Sequence, residues 1–127
     1  PQTDTDPYWM NKFGYLDRQQ KTLLVHSRGN LLPLSRSKNS SLQNDAFELK
    51  KNNGRGVGYY NGSISENEVN IQDDWAPKEI YERGITLLEF MENRWNIILG
   101  DDAFKSKLLH VDQIPLAPAV EDVEVVE

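Results

Sequence analysis

The segment from Pro77 to about Leu99 constrains the fold most, because its apolar residues recur at helical spacing. Steps of three and four residues place seven of them on one stripe facing the core: Ile80, Gly84, Leu87, Leu88, Met91, Trp95 and Ile98. Pro77 suits the first position of a helix, where its missing N–H costs nothing, and Gly100 is expected to end it. Such a helix must pack against other elements, which predicts a mainly helical domain.

This helix also carries apolar residues off the main stripe, namely Tyr81, Ile85, Phe90 and Ile97. They imply a second apolar surface that meets either another element or a partner. Burial is the favoured interpretation, since a small domain usually wraps its longest helix on two sides. Ala76 precedes Pro77 where Ser or Thr would cap the first turn, and the missing cap costs about 1 kcal/mol.

The rest of the chain predicts shorter elements separated by turns. Before residue 77 we expect four helical pieces: a turn carrying Tyr8, Trp9 and Phe13, a helix over Leu16–Ser27, one or two helices over Ser37–Lys51 capped by Ser37 or Asn39, and a short helix through Ile71. Overlapping capping boxes at Ser63 and Ser65 predict the last of these. Leu31–Leu34 predicts an edge strand because it contains Pro33, and the glycine-rich stretch 52–62 predicts a plain turn.

Length and composition narrow the function. The 127 residues suffice for one domain, and no run approaches the roughly 20 apolar residues of a membrane span. We expect a soluble, cytoplasmic protein. The absence of cysteine excludes disulfides, zinc ribbons and Cys nucleophiles, so any metal would have oxygen or imidazole ligands. A hard ion such as Mg²⁺ fits best.

The charge distribution points to one segment that could contact nucleic acid. The net charge of −6 argues against a polyanion partner for the chain as a whole. From Arg28 to Arg55, however, six basic residues face two acidic ones, whereas from Gly56 onward five basic residues face fifteen acidic ones. The middle segment is therefore the candidate for binding a polyanion.

Two asparagines, Asn30 and Asn39, lie nine positions apart on either side of the predicted strand. A strand followed by a helix could bring both amides to the same end of one unit. There they could orient a base or coordinate a metal, although another group would have to activate water. The alternative is that both are turn and cap residues, a common role for asparagine.

At this point the sequence resembles a known family. The resemblance rests on motifs in one order: Gly29-Asn30-Leu31-Leu32, then Asn39-Ser40-Ser41-Leu42-Gln43-Asn44, then Phe47 with Lys50-Lys51, then Trp75-x-Pro77-x-x-Ile80-x-x-Arg83, and Phe90-Met91-Glu92-x-Arg94-Trp95. Together they look like the HNH-like C-terminal domain of GmrSD-type restriction endonucleases. The fold this implies is α+β but predominantly helical, with a partial ββα-metal finger embedded in a helical domain that has one long C-terminal helix.

The resemblance also implies roles for individual residues. Asn30 matches an asparagine that braces the loop and orients a catalytic histidine, and Asn39 matches a position that helps to hold a divalent metal, Mg²⁺ or Mn²⁺. DNA would be contacted by four basic residues: Arg36, Lys38, Lys50 and Lys51. The family's histidine lies in a Glu-His-Ile-x-Pro-Gln stretch, of which Pro1-Gln2 looks like the end. We therefore expect the base to precede Pro1 and this chain to be inactive alone.

Neither histidine of the chain is expected to replace that base. His26 resembles a position often occupied by histidine in the family, but the favoured interpretation is a helix-end residue. His110 lies in a polar, proline-flanked segment typical of a solvated surface.

We expect residues 1–100 to form an HNH-like nuclease domain and residues 101–127 an acidic tail, extended or disordered, whose Val120, Val123 and Val125 could pair with a sheet edge. The predicted function is that of a metal-dependent DNA endonuclease of a restriction or phage-defence protein. The N-terminal portion of that longer protein would supply nucleotide-dependent control. The alternative is a non-catalytic helical module for protein interaction, favoured by the acidic balance after Arg55 and by the valine-rich tail.

Overall fold

The computed structural model describes residues 6–119, and that part of the chain is helical. Its α-helices are α1 (Pro7–Phe13), α2 (Arg18–His26), α3 (Arg36–Leu42), α4 (Phe47–Lys51), α5 (Ile64–Asn70), α6 (Pro77–Trp95) and α7 (Asp102–Leu108). Two 3-10 turns, Arg28–Asn30 and Tyr59–Asn61, lie between them. None of the helices in residues 6–119 is long and apolar enough to cross a membrane.

Side-chain caps explain where several helices begin. At α2, Asp17 accepts a hydrogen bond from Gln20 N at 2.8 Å while Gln20 accepts one from Asp17 N at 3.0 Å. At α5, Ser63 and Glu66 form the same reciprocal pair, which confirms the first of the two predicted capping boxes. Each pair satisfies backbone donors that the first helical turn leaves free.

Two cap assignments differ from prediction. Ser35, rather than Ser37 or Asn39, caps α3, because its hydroxyl accepts from Lys38 N at 3.1 Å. At α6, Ala76 provides no side-chain cap, as predicted, yet its own N–H donates to Glu79 Oε2 at 2.9 Å. Half of a capping box is therefore retained at the start of the longest helix.

The core is organised around α6. Its buried residues pack against the 3-10 turn Arg28–Asn30 and against α7. A Cβ atom added to Gly29 would lie 2.0 Å from Ile80 O, so only glycine allows this turn to approach the helix so closely. Gly84 likewise leaves space for Leu109, whose Cδ1 would lie 2.8 Å from an added Cβ. The position of α6 thus determines the position of the loop that carries Asn30.

The predicted strand at Leu31–Leu34 is wrong. This segment is coil, although Leu31 has extended backbone angles of φ −95° and ψ 130°. A strand requires hydrogen-bonded pairing with a second strand, and none occurs in residues 6–119. The predominantly helical character is confirmed, whereas the strands of the ββα-metal finger are not found in the part of the chain that the structure describes.

The end of α6 also differs from prediction. The helix stops at Asn96, which adopts the left-handed conformation with φ 51°, and not at Gly100. Asparagine tolerates this conformation better than most residues because its short polar side chain can hydrogen-bond locally. The predicted stripe fails here, since Trp95 is 58% and Ile98 92% exposed. Ile85, predicted to lie off that stripe, is buried.

The segment after Gly100 contributes to the core. Because α7 covers Asp102–Leu108, residues 101–119 are not simply the extended or disordered tail that was predicted. Leu109, Val111 and Ile114 are buried in the same apolar cluster as α6. The predictions for Pro1-Gln2 and for Val120, Val123 and Val125 lie outside the described residues.

Candidate functional site

A single cavity brings together the two asparagines singled out in the sequence. It has a volume of about 650 Å³, and Asn30, Asn39 and Lys50 all contribute to its lining. Its apolar wall includes Phe47 and Trp75. The two asparagines therefore line one cavity, without the strand that was expected to bring them together.

Both ends of the Asn30 amide are held by protein atoms. Its Nδ2 donates to Val25 O at 3.1 Å, and its Oδ1 accepts from Trp75 Nε1 at 2.9 Å. The Trp75 ring is fixed in turn by stacking on Phe47, with ring centroids 5.7 Å apart. Since Trp75 is nearly fully buried, this amide has one orientation and braces the cavity wall.

A second brace reaches the same loop from α6. Arg83 Nη1 donates to Gly29 O at 3.0 Å and to Leu31 O at 2.7 Å, so it grips the backbone on both sides of Asn30. Burial lowers the pKa of the Arg83 guanidinium, although arginine remains charged near neutral pH. Its Nε is buried without a hydrogen-bond partner among residues 6–119. Arg83 itself also lines the cavity.

Asn39 presents a different environment. It lies on α3, is exposed, and its side chain makes no hydrogen bond within the described range. Ser35 caps the start of α3, and Asn39 N donates to Ser35 O at 2.9 Å. Asn39 therefore lies one helical turn after the cap, in the body of the helix. Of the two amides, Asn39 is thus the one free to bind a ligand.

The four basic residues predicted to contact DNA divide into two pairs. Lys38 Nζ bonds to Glu66 Oε1 at 2.6 Å and to Gly58 O at 3.0 Å, so its charge is already neutralised. Lys51 Nζ donates to Gln72 O at 2.9 Å and lies 5.2 Å from the centroid of the Phe47 ring. Both lysines therefore mainly make stabilising contacts within the protein.

The other pair, Arg36 and Lys50, is more available to bind a phosphate, because neither side chain forms an ion pair in the described residues. Lys50 lines the cavity, and burial lowers the pKa of its ammonium group. Its Nζ donates to Gln43 O, a neutral acceptor, and Asp45 is the acidic residue that interacts with its charge, without a direct ion pair. Arg36 is exposed at the start of α3, without a side-chain partner in the described residues.

Comparison with known protein families shows which family this chain belongs to. The family model for GmrSD restriction endonucleases, C-terminal domain, matches residues 1–90. The chain belongs to this family. No curated protein and no solved structure gives a significant match. For this GmrSD C-terminal domain the matched range includes every cavity residue discussed above, whereas the end of α6 and all of α7 lie beyond it.

The lining of the cavity in this GmrSD C-terminal domain suits an anion better than a cation. No Asp or Glu belongs to the lining described by the structure, while Lys50 and Arg83 both do. No group of three or more His, Cys, Asp and Glu side chains that could hold a metal occurs in residues 6–119. Because magnesium prefers carboxylate ligands, these residues do not by themselves fit the predicted metal ion.

Three residues of the GmrSD C-terminal domain have clearer roles in the site than the sequence analysis assigned them. Trp75 and Arg83 brace Asn30, and His26 lines the cavity from the last turn of α2. The sequence analysis already included Trp75 and Arg83 in a family motif. A motif, however, does not show which residues they contact. His110 is exposed and lies outside the cavity lining.

Proposed function

We propose that this domain is the DNA-cleaving, HNH-type part of a restriction endonuclease, controlled by an N-terminal nucleotide-dependent domain of the parent protein. One observation carries the proposal: Asn30, Asn39 and Lys50 line the same cavity of about 650 Å³. The family membership supports an endonuclease-related role, and the cationic lining supports a phosphodiester as ligand.

In this proposal the cavity residues bind and orient one phosphate. Lys50 offers a charge that only a backbone carbonyl contacts, and Asn39 offers an unengaged amide. Asn30 acts as a positioning residue, since Trp75 and Val25 use both ends of its side chain. The lining does not fit magnesium on its own, so we assign no step to a metal and treat dependence on Mg²⁺ or Mn²⁺ as a quantity to measure.

Cleavage also requires a general base, for which there are two sources. The family resemblance implies a histidine that precedes Pro1 in the parent protein. His26 is the alternative, because it is the histidine among residues 6–119 that lines the cavity. We favour the former, since His26 is an exposed helix-end residue whose side chain makes no hydrogen bond within residues 6–119 that would orient it as a base. On this view the 127-residue chain alone binds DNA but does not cut it.

The experiment compares nicking of supercoiled plasmid by this chain and by a version carrying the parent residues before Pro1, in Mg²⁺, Mn²⁺ or EDTA. We expect nicking only from the longer protein, and its loss in Asn39→Ala. Asn93→Ala provides the control, because Asn93 is also an exposed helical asparagine but lies outside the cavity lining. Nicking by the short chain that disappears in His26→Ala would reassign the base. Activity unchanged by Asn39→Ala would contradict the site.

A second candidate function, a non-catalytic interaction module, is favoured by a set of exposed apolar side chains. Six large apolar side chains around the ends of α6 and α7 are exposed: Phe90, Trp95, Ile97, Ile98, Phe104 and Leu108. Exposed apolar patches often mark interaction sites. Sedimentation velocity of the wild type and of Ile98→Glu over a range of concentrations tests this candidate. A monomer at every concentration, together with DNA nicking by the longer protein, would favour the nuclease.

A further inference from the structure

The loop between α4 and the turn Tyr59–Asn61 carries an arginine at its tip. Arg55 is exposed and stands between Gly54 and Gly56, which have φ values of +77° and +86°. A Cβ atom on either glycine would meet nothing within 4 Å. The tip Gly54-Arg55-Gly56 is therefore exposed, with no bulky side chain beside the arginine.

Hydrogen bonds and close packing hold the two ends of this loop in place. Asn53 N donates to Val57 O at 2.9 Å, which closes the loop behind the tip. Gly58 lies so close to α4 that an added Cβ would be 2.2 Å from Lys51 O. Lys38 Nζ also donates to Gly58 O at 3.0 Å. The tip is thus carried on a defined base, and a ligand would not have to order the whole loop.

The backbone of the loop is not arranged to bind a phosphate. Asn52 Oδ1 accepts from Gly54 N at 2.9 Å, and Asn53 Oδ1 accepts from Arg55 N at 2.8 Å and from Val57 N at 3.2 Å. These N–H groups are therefore occupied, unlike those of a glycine-rich phosphate loop. The Arg55 guanidinium, in contrast, makes no hydrogen bond or ion pair within residues 6–119.

The loop is joined at both ends to residues that line the cavity. It connects Lys50 to Tyr59, both of which line the cavity, so its tip is at most five residues from a lining residue on either side. No Asp or Glu occurs between Glu48 and Glu66. Arg55 is consequently an exposed positive charge on the segment that joins two lining residues, with no acidic residue in its own loop.

We propose that Arg55 binds a phosphate of duplex DNA next to the one held in the cavity, and so extends the binding site along the strand. This inference rests on the proposed function. The flanking glycines leave space for a sugar-phosphate backbone to approach, and the guanidinium supplies several donors for its oxygens. The contact positions the DNA and reads no base, because phosphate contacts carry no sequence information.

The test measures binding of a fluorescent 20-base-pair duplex to the 127-residue chain by anisotropy, between 50 and 200 mM salt. We expect Arg55→Ala to weaken binding about five- to tenfold at the lowest salt and to reduce the slope of log K against log salt by about one. Arg55→Lys should restore most of the affinity. Arg94→Ala is the matched control, since Arg94 is also exposed but lies on α6 outside the cavity lining and should change affinity less than twofold.

The outcomes separate this inference from the proposed function. Equal losses in Arg55→Ala and Arg94→Ala, with a larger loss in Lys50→Ala, would overturn the role of Arg55 and leave the nuclease proposal intact. A wild-type chain that binds no duplex would overturn both. Gly56→Ala keeps every charge but strains the tip, so full affinity in that variant would also count against a positioned contact. Circular dichroism of each variant verifies that the fold is retained.

Discussion

Replacing Asn30 by aspartate tests whether this side chain braces the cavity. The substitution keeps the size and the acceptor for Trp75 Nε1, but it replaces the Nδ2 donor with an oxygen facing Val25 O, 3.1 Å away. One hydrogen bond is lost, worth about 1 kcal/mol, and a partly buried charge is left facing a carbonyl, which costs a further 1–3 kcal/mol. We expect Asn30→Asp to lower the free energy of unfolding by about 2–4 kcal/mol at pH 7.

Asn39→Asp is the matched control for this prediction. It is the same substitution in the same cavity lining, at an exposed side chain without a hydrogen bond in the described structure, and should change stability by less than about 0.5 kcal/mol. Urea unfolding followed by tryptophan fluorescence measures both. The unfavourable charge raises the pKa of the introduced carboxyl in the folded state, so the deficit of Asn30→Asp should shrink as the pH falls from 7 towards about 4, where the protonated carboxyl can donate. Equal stability of the two variants would refute the bracing role of Asn30.

Three further predictions concern the scaffold. Gly29→Ala should cost about 2–3 kcal/mol in thermal unfolding, because the new Cβ would lie 2.0 Å from Ile80 O; an unchanged melting temperature would contradict this packing. Burial raises the pKa of the Glu66 carboxyl, but hydrogen bonds from Lys38 and Ser63 outweigh it and hold the pKa below its usual value. Glu66→Gln should therefore destabilise the fold by about 1–2 kcal/mol at pH 7, and urea unfolding from pH 7 to pH 3 should show the difference vanishing as the wild-type carboxylate is protonated. Asn96→Ala should cost about 1 kcal/mol in urea unfolding, because alanine is strained at φ 51°, whereas Asn96→Gly should be nearly neutral.

The structure changes how the basic segment Arg28–Arg55 is understood. By sequence its residues are equivalent positive charges, but the fold gives them different partners. Lys38 is neutralised by Glu66, and Lys51 pairs with Glu48 at 3.4 Å while its ammonium also contacts Gln72 O and the Phe47 ring, so both are already engaged within the protein. Arg28, Arg36, Lys50 and Arg55 remain for a polyanion. Partners from distant parts of the chain decide this, and the sequence does not show them.

What the sequence determined by itself was local. Pro77 and the spacing of Ile80, Gly84 and Leu88 predicted α6, and the Ser63–Glu66 capping box predicted the start of α5. Helix starts and amphipathic faces depend on residues within one or two turns, so the sequence shows them directly. The family resemblance likewise depended on local motifs, and the family match over residues 1–90 confirms it.

Tertiary structure decided where those local pieces meet. Leu31–Leu34 has the composition of a strand, yet pairing requires a second strand and none lies within residues 6–119. The exposure of Trp95 and Ile98 depends on where the core ends, and helical spacing cannot show that. The cavity arises because α6 holds the Asn30 loop through Arg83 and Trp75, which are 53 and 45 residues away in the sequence. Contacts over such distances depend on packing of the whole domain, so spacing alone could suggest a site but not build it.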